Sequence, residues 1–179
     1  MARTATKEEE REIERLMDVY GRALKRMCCL YLKDVSLAED ASQETFLRAW
    51  RHLGDFRRES SEKTWLMRIA MNVCRDMLRT GWFRHLDRRV TPEELPLVAE
   101  IDEERPLLAQ RVMALPPKYR EPILLYSYQG LSTKEMAEAL GVSFNTAKSR
   151  LLRARALLKT QLEGGGERGR ERNRASRGR

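Results

Sequence analysis

The stretch that decides the fold runs from Leu131 to Leu162, LSTKEMAEALGVSFNTAKSRLLRARALLKTQL. Ser132, with Glu135 three residues on, has the capping-box spacing in which a hydroxyl and a carboxylate satisfy free amides at a helix start. This first helix is short and ends at Leu140, because Gly141 accepts a left-handed conformation without a side-chain penalty. Ser143 then caps a second, longer helix. The stretch is predicted to be helix, tight turn, helix.

At about 100° per residue, Phe144, Ala147, Leu151, Ala154, Leu158 and Leu162 share one stripe, the predicted core face. The opposite arc carries Asn145, Lys148, Ser149, Leu152 and Arg153, a leucine standing among donors. Such a face suits the major groove of DNA, where donors meet base edges and an apolar group meets thymine methyls. The plainer reading is a solvated basic helix.

Composition agrees with a polyanionic partner. Lys and Arg number 35 against 27 Asp and Glu in 179 residues, a formal charge of +8, and such an excess favours nucleic acid or another polyanion. Half of it sits in residues 164–179, which hold six Arg and two Glu among glycines; this basic tail is predicted to be disordered. The length suits one ordinary domain or two small ones, in compact helical units. The adjacent Cys28 and Cys29, with Cys74, offer no C-x-x-C pair, and neighbouring cysteines seldom close a disulfide. Buried, inert thiols in a reducing compartment are expected, with a redox sensor as the alternative. His52 and His85 lack companions in metal-ligand spacing. No cofactor or metal is expected, nor direct membrane insertion, since the apolar runs are too short for a span. The reading is a cytoplasmic protein.

From about Glu8 to Leu32, Ile13, Leu16, Tyr20, Leu24, Met27 and Tyr31 keep helical spacing. Ser36 and Glu39 make a second capping box, opening a helix to Leu53 with Ala38, Ala41, Thr45, Ala49 and Leu53 inward. Its other arc sets Leu47 within a ring of Asp40, Gln43, Glu44 and Arg51, with Arg48 at the edge. An apolar centre inside a polar rim resembles an interface, although a single exposed leucine is also ordinary. After a polar loop, a helix from about Glu62 to Thr80 buries Leu66, Met67, Ile69, Ala70, Met71, Val73, Cys74, Met77 and Leu78. Arg68, Asn72, Arg75 and Arg79 lie on a narrow arc, with Thr64 and Trp65 alongside. Cations, an amide and an aromatic together suit opened or single-stranded nucleic acid; solvated arginines, with Trp65 at the core edge, are the bland alternative. Periodicity lapses over residues 82–104, a predicted flexible linker. Pro106 is placed to start a short helix, Leu107 to Leu115, broken at Pro116 and Pro117, and a helix from Lys118 to Gln129 leads back to the helix-turn-helix.

Two runs, AEDASQETFLRAWRHLGDFRRESSEKTWLMRIAMNVCRDML and LPPKYREPILLYSYQGLSTKEMAEALGVSFNTAKSRLLRARALL, together resemble bacterial RNA polymerase sigma factors of the extracytoplasmic-function group. The resemblance covers nearly everything from Tyr20 to Leu162. It implies an all-α, non-enzymatic subunit: a region 2-like module (8–81), the linker (82–104), a region 4-like module (105–163) and the basic tail (164–179). It implies core RNA polymerase and promoter DNA as partners, and an anti-sigma factor that holds the protein inactive. The D-x-x-Q-E-x-F-x-R-x-W pattern, here Asp40, Gln43, Glu44, Phe46, Arg48 and Trp50, would belong to the helix that docks on polymerase, with Asp40, Gln43, Glu44, Leu47 and Arg48 as the docking residues. Thr64, Trp65, Arg68, Asn72 and Arg75 would open the minus-ten element, Asn72 reading a base near the loop from Phe56 to Lys63. Lys148, Ser149, Leu152 and Arg153 would face minus-thirty-five bases, with Thr146, Arg150 and Arg155 nearer phosphates; helical angles set Arg155 beside the core stripe. Glu62 departs from the pattern, which favours an aromatic or apolar residue there.

Three other classes stay open. A helix-turn-helix repressor or activator would work without polymerase, but commonly dimerises on palindromic sites, and no dimer helix is seen. A recombinase would need a nucleophile, for which Ser60 and Ser61 beside Arg57 and Arg58 are the only candidates. A purely structural adaptor would leave the Lys148–Arg153 face without a task.

Overall fold

A computed structural model of the chain describes residues 7–80 and 106–175, with side chains to Gln161. The regular structure among these residues is helical: α1 (Lys7–Leu32), α2 (Val35–His52), α3 (Glu62–Arg79), α4 (Pro106–Ala114), α5 (Pro117–Ile123), α6 (Thr133–Leu140) and α7 (Phe144–Ala175). The predicted linker, with His85, lies outside the described residues.

In the first module α1 packs on α2 and α3. Its stripe is the one read from sequence: Leu16, Leu24, Met27 and Tyr31 are buried, with Ile13 and Tyr20 packed against them. From Met27 to Leu32, however, every residue is buried. A helix covered on all sides has lost its solvent face to a second layer, and here the second module, through α4 and α5, supplies that layer.

The start of α2 differs from expectation. Asp34, not Ser36, is the N-cap, and its carboxylate accepts from the Leu37 amide at 2.9 Å. Lys33 takes a positive φ of 62° and closes α1 by donating its N–H to Cys29 O at 2.8 Å. The chain therefore turns two residues early, and Glu39, freed from capping, pairs with Lys25 at 3.0 Å. A single 3-10 turn over Leu53–Asp55 ends the element. Ser61 caps α3 through the Thr64 amide at 3.1 Å. The predicted inner face of α3 holds except that Leu78 is 38% exposed.

In the second module Pro117 opens α5. The predicted helix from Lys118 to Gln129 is not uniform: beyond Pro122, which has no N–H to give, it widens into a π turn over Leu124–Tyr128, closed by Gln129 N–H to Leu124 O at 3.0 Å. The helix-turn-helix follows the sequence closely. Ser132 and Glu135 form the reciprocal capping box, and Gly141 ends α6 at φ 67°. Ser143 Oγ accepts from the Thr146 amide at 3.2 Å. Ala147, Leu151, Ala154 and Leu158 are buried, while Phe144 is 50% exposed, because the first turn of α7 stands ahead of the core. The α7 backbone stays helical to Ala175, where an irregular tail is predicted from 164; extending an existing helix avoids the cost of a new nucleus.

The three cysteines are buried and free. Cys28 and Cys74 bring their sulfurs to 3.6 Å across α1 and α3. The contact with Cys74, together with burial, pushes the Cys28 thiol well up, and burial pushes Cys29 up to about 11. Thiols so rarely ionised are poor nucleophiles.

Candidate functional site

Three surfaces carry the residues singled out by sequence. On the first, α2 and α3 enclose a groove of about 880 Å³ lined by Asp40, Gln43, Glu44, Leu47 and Arg48, with Leu37, Val73 and Met77 as apolar wall. Asp40 and Gln43 are exposed, and Glu44 and Arg48 are half-buried. Leu47 is 37% exposed. Arg48 Nε donates to Glu44 at 2.7 Å and its Nη1 reaches Asp76 at 3.4 Å, so the guanidinium spans the groove. The Glu44 hydrogen bond raises the Arg48 pKa and keeps it charged. Sequence reasoning missed Asp76 as part of this surface and assigned Val73 and Met77 to the core alone. The one signal was an acid set between Arg75 and Arg79.

On α3, Arg68 and Asn72 face solvent. Trp65 is half-buried and stacks on Phe56, centroids 4.5 Å apart and planes 19° from parallel, so the loop before α3 is held against the helix. Within that loop Arg58 has φ 56°, a conformation that costs a non-glycine residue energy. Glu62 ties the start of α3 to α1 through Arg15 at 2.7 Å. The remaining two predicted residues are not free. Thr64 is fully buried, its hydroxyl 3.3 Å from Glu135 of α6. Arg75 forks onto Glu121 of α5, Nε to Oε1 at 2.8 Å and Nη2 to Oε2 at 2.9 Å. This pair raises the Arg75 pKa, chiefly through the hydrogen bond.

On α7 the arc is open. Lys148, Ser149, Leu152 and Arg153 are exposed, Leu152 at 57%, and Thr146 and Arg150 are half-buried. Thr146 shares a hydrogen bond with Ser143 at 2.9 Å, and Ser149 Oγ donates to Thr146 O at 3.0 Å. Arg155 lays its guanidinium over Tyr126, 4.8 Å from the ring centroid, in keeping with a place beside the core stripe. Residues 144–161 contain no Asp or Glu. A leucine ringed by cations and hydroxyls, with no acid to repel phosphate, fits a duplex groove.

Among the described residues no group of His, Cys, Asp and Glu is placed to hold a metal ion. Nor is any helix among them long and apolar enough to cross a membrane.

A polar-rimmed groove, an Arg/Asn/aromatic helix and a helix-turn-helix, in that order, define a DNA-reading subunit that works with a protein partner. Comparison with known proteins gives the family. Sigma-70 region 2 matches residues 16–84, and Sigma-70, region 4 matches residues 106–158. The chain is 34% identical over 158 residues to RNA polymerase sigma factor SigZ of Bacillus subtilis (strain 168), covering 85% of this chain and 88% of that protein. It is 35% identical over 156 residues to ECF RNA polymerase sigma factor SigL of Mycobacterium tuberculosis (strain H37Rv), covering 83% and 87%. Among solved structures it is similar to CnrH in complex with the cytosolic domain of CnrY, with a TM-score of 0.68 and 30% identity over 87% of this chain and 90% of that one. The chain belongs to the extracytoplasmic-function group of the sigma-70 family and serves transcription initiation with core RNA polymerase and promoter DNA as partners. A helix-turn-helix regulator acting without polymerase is not favoured, because both sigma regions are present in order.

Proposed function

We propose that the three surfaces divide the work of promoter selection in the manner the sequence suggests. The α2–α3 groove docks on core polymerase through Asp40, Gln43, Glu44, Leu47 and Arg48. Leu47 would supply the apolar anchor and the charged rim the orientation. Arg68, Asn72 and Arg75, with Thr64 and Trp65 shaping the helix start, engage the opened minus-ten strand. There, cations hold the backbone and the Asn72 amide reads a base whose unstacking costs a few kcal/mol. Lys148, Ser149, Leu152 and Arg153 read the duplex at minus thirty-five, while Thr146 and Arg150 hold phosphates. The protein contributes no bond-making chemistry; polymerase does that, and the subunit positions it. The modules are taken as residues 8–81 and 105–163, and the site of action as the cytoplasm. An anti-sigma factor is a further proposed partner: CnrH is bound to another protein, the cytosolic domain of CnrY, and the similar sigma factor RpoE of Bartonella quintana is bound to the anti-sigma factor NepR.

The observation that carries this reading is the partly exposed Leu47 in its charged groove, on the same module as the Arg68/Asn72 face. The test is a pull-down of purified core polymerase with wild type, Glu44→Arg and Leu47→Asp. Retention of wild type and loss of both variants is expected. Equal retention of all three would remove the groove from the docking role.

A further inference from the structure

Two large apolar side chains are left in water on one helix. Phe144 is 50% exposed and Leu152 is 57% exposed, both on α7. Lys148, also exposed, stands midway between them, one turn from each. Residues spaced in this way form a ridge along a helix surface, so α7 carries an aromatic ring, a cation and a leucine in one row, about 12 Å long at about 1.5 Å per residue. The proposed function gives the cation and the leucine to duplex DNA and leaves the ring without a task.

Phe144 is not one of the core side chains of α7. The buried stripe of the helix begins one turn later, at Ala147, and continues through Leu151, Ala154 and Leu158. Helical side chains lean toward the helix N-terminus, so a ring at the first position of α7 leans past the start of the helix. Its neighbours Ser143 and Thr146 are tied to each other in the cap, hydroxyl to hydroxyl at 2.9 Å. The charge along this helix is of one sign: Lys148, Arg150, Arg153, Arg155 and Lys159 occur between Phe144 and Gln161, with no Asp or Glu. An exposed ring in a wholly cationic stretch, in line with a leucine, suits an apolar group carried by a polyanion. In duplex DNA that group is the C5 methyl of thymine, which phenylalanine is among the side chains suited to meet in the major groove.

We propose that Phe144 is a further base reader of the upstream element, its ring meeting a thymine methyl about two to four base pairs from the base met by Leu152. The separation follows from recognition helices in the major groove, where about three residues of helix serve one base pair. Loss of one buried methyl corresponds to about a 4-fold loss of affinity. The contact therefore sharpens the preference at one position and adds little to binding overall.

This role rests on the proposed reading of duplex DNA by α7, and Lys148→Glu separates the two. Holoenzymes reconstituted from core polymerase and full-length wild type, Phe144→Ala, Phe144→Leu or Lys148→Glu are titrated by fluorescence anisotropy against a fluorescein-labelled promoter duplex recovered by transcription from a genomic library. Each thymine of the upstream element is replaced singly by deoxyuridine, which keeps the base pair and removes the methyl. In wild type, one such replacement is expected to weaken binding about 4-fold and to have no effect in Phe144→Ala. Part of the effect should remain in Phe144→Leu, which keeps an apolar side chain. No sensitive thymine in wild type, or the same sensitive thymines in Phe144→Ala, would overturn the role of Phe144; if Lys148→Glu still weakens binding, the α7 reading stands. Loss of core polymerase from Phe144→Ala in a pull-down, with the thymine pattern unchanged, would give the ring to polymerase and also overturn the proposal. If Lys148→Glu binds the duplex as wild type does, the α7 reading itself falls, and the role of Phe144 falls with it.

Discussion

Helices α3 and α7 each present arginines on a face that the sequence offers to nucleic acid, yet the fold treats them differently. On the α7 arc Lys148, Ser149, Leu152 and Arg153 are all exposed, the leucine at 57%. The α3 arc is shared: Arg68 and Asn72 are open, while Arg75 and Thr64 are held by carboxylates from α5 and α6. The availability of a helix face is therefore decided by what packs on it as well as by its own periodicity.

The sharpest break in this comparison comes from neighbouring residues on α7. Leu151 is 5% exposed and Leu152 is 57% exposed. Leu151→Ala removes core contacts and should cost about 2–5 kcal/mol, whereas Leu152→Ala should stay within about 0.5 kcal/mol of wild type; urea unfolding of both variants measures the contrast. Duplex binding should separate them in the opposite sense, Leu152→Ala weakening it in the folded protein.

The next effect belongs to α3. Glu121→Ala leaves Arg75 and the Tyr31 hydroxyl, which donates to Glu121 at 3.0 Å, without their acceptor. A fully buried pair broken on one side costs about 3–5 kcal/mol, but the Arg75 side chain is 31% exposed, so water relieves part of the loss. About 2–3 kcal/mol is expected in denaturant unfolding. A change near zero would mean that the Arg75–Glu121 pair contributes little to holding the modules together.

A smaller effect tests the capping box, which also touches α3. Ser132→Ala should cost about 1 kcal/mol in thermal unfolding. The Ser132 hydrogen bond lowers the Glu135 pKa below its usual 4.5. Because the folded value is depressed, the stability Glu135 contributes is present above 4.5 and is lost as pH falls from there through the folded value. Melting temperature should therefore drop below pH 4.5 in wild type, and less steeply in Ser132→Ala. The smallest effect is chemical: at pH 8 the buried cysteines should label slowly with iodoacetamide in the native protein and fully in denaturant. Fast native labelling would reopen the redox reading.

What the sequence made legible was local. Ser132, Ser143 and Gly141 announce their roles within a few residues, because a cap needs only its own turn. The α1 stripe and the Ala147–Leu158 stripe follow from helical period alone. The start of α2 misled because Ser36 and Glu39 have the correct spacing, while the tight Lys33 turn brings Asp34 to the cap first. Phe144 misled because period assigns a face but not a depth along the core. The occupation of Arg75 had no signal in the sequence around Arg75 itself: Glu121 lies 46 residues away across the linker. The only hint was a lone acid between Arg120 and an apolar run, where a buried carboxylate would need a partner from elsewhere.

The central claim is that this chain gives core polymerase its choice of promoter, and in vitro transcription from a genomic DNA library tests it most directly. Core polymerase with wild type should produce discrete starts whose upstream sequences share two elements. Asn72→Ala should reduce initiation at those starts, and Lys148→Glu with Arg153→Glu should abolish the upstream preference. Starts no different from those of core polymerase alone would contradict the account.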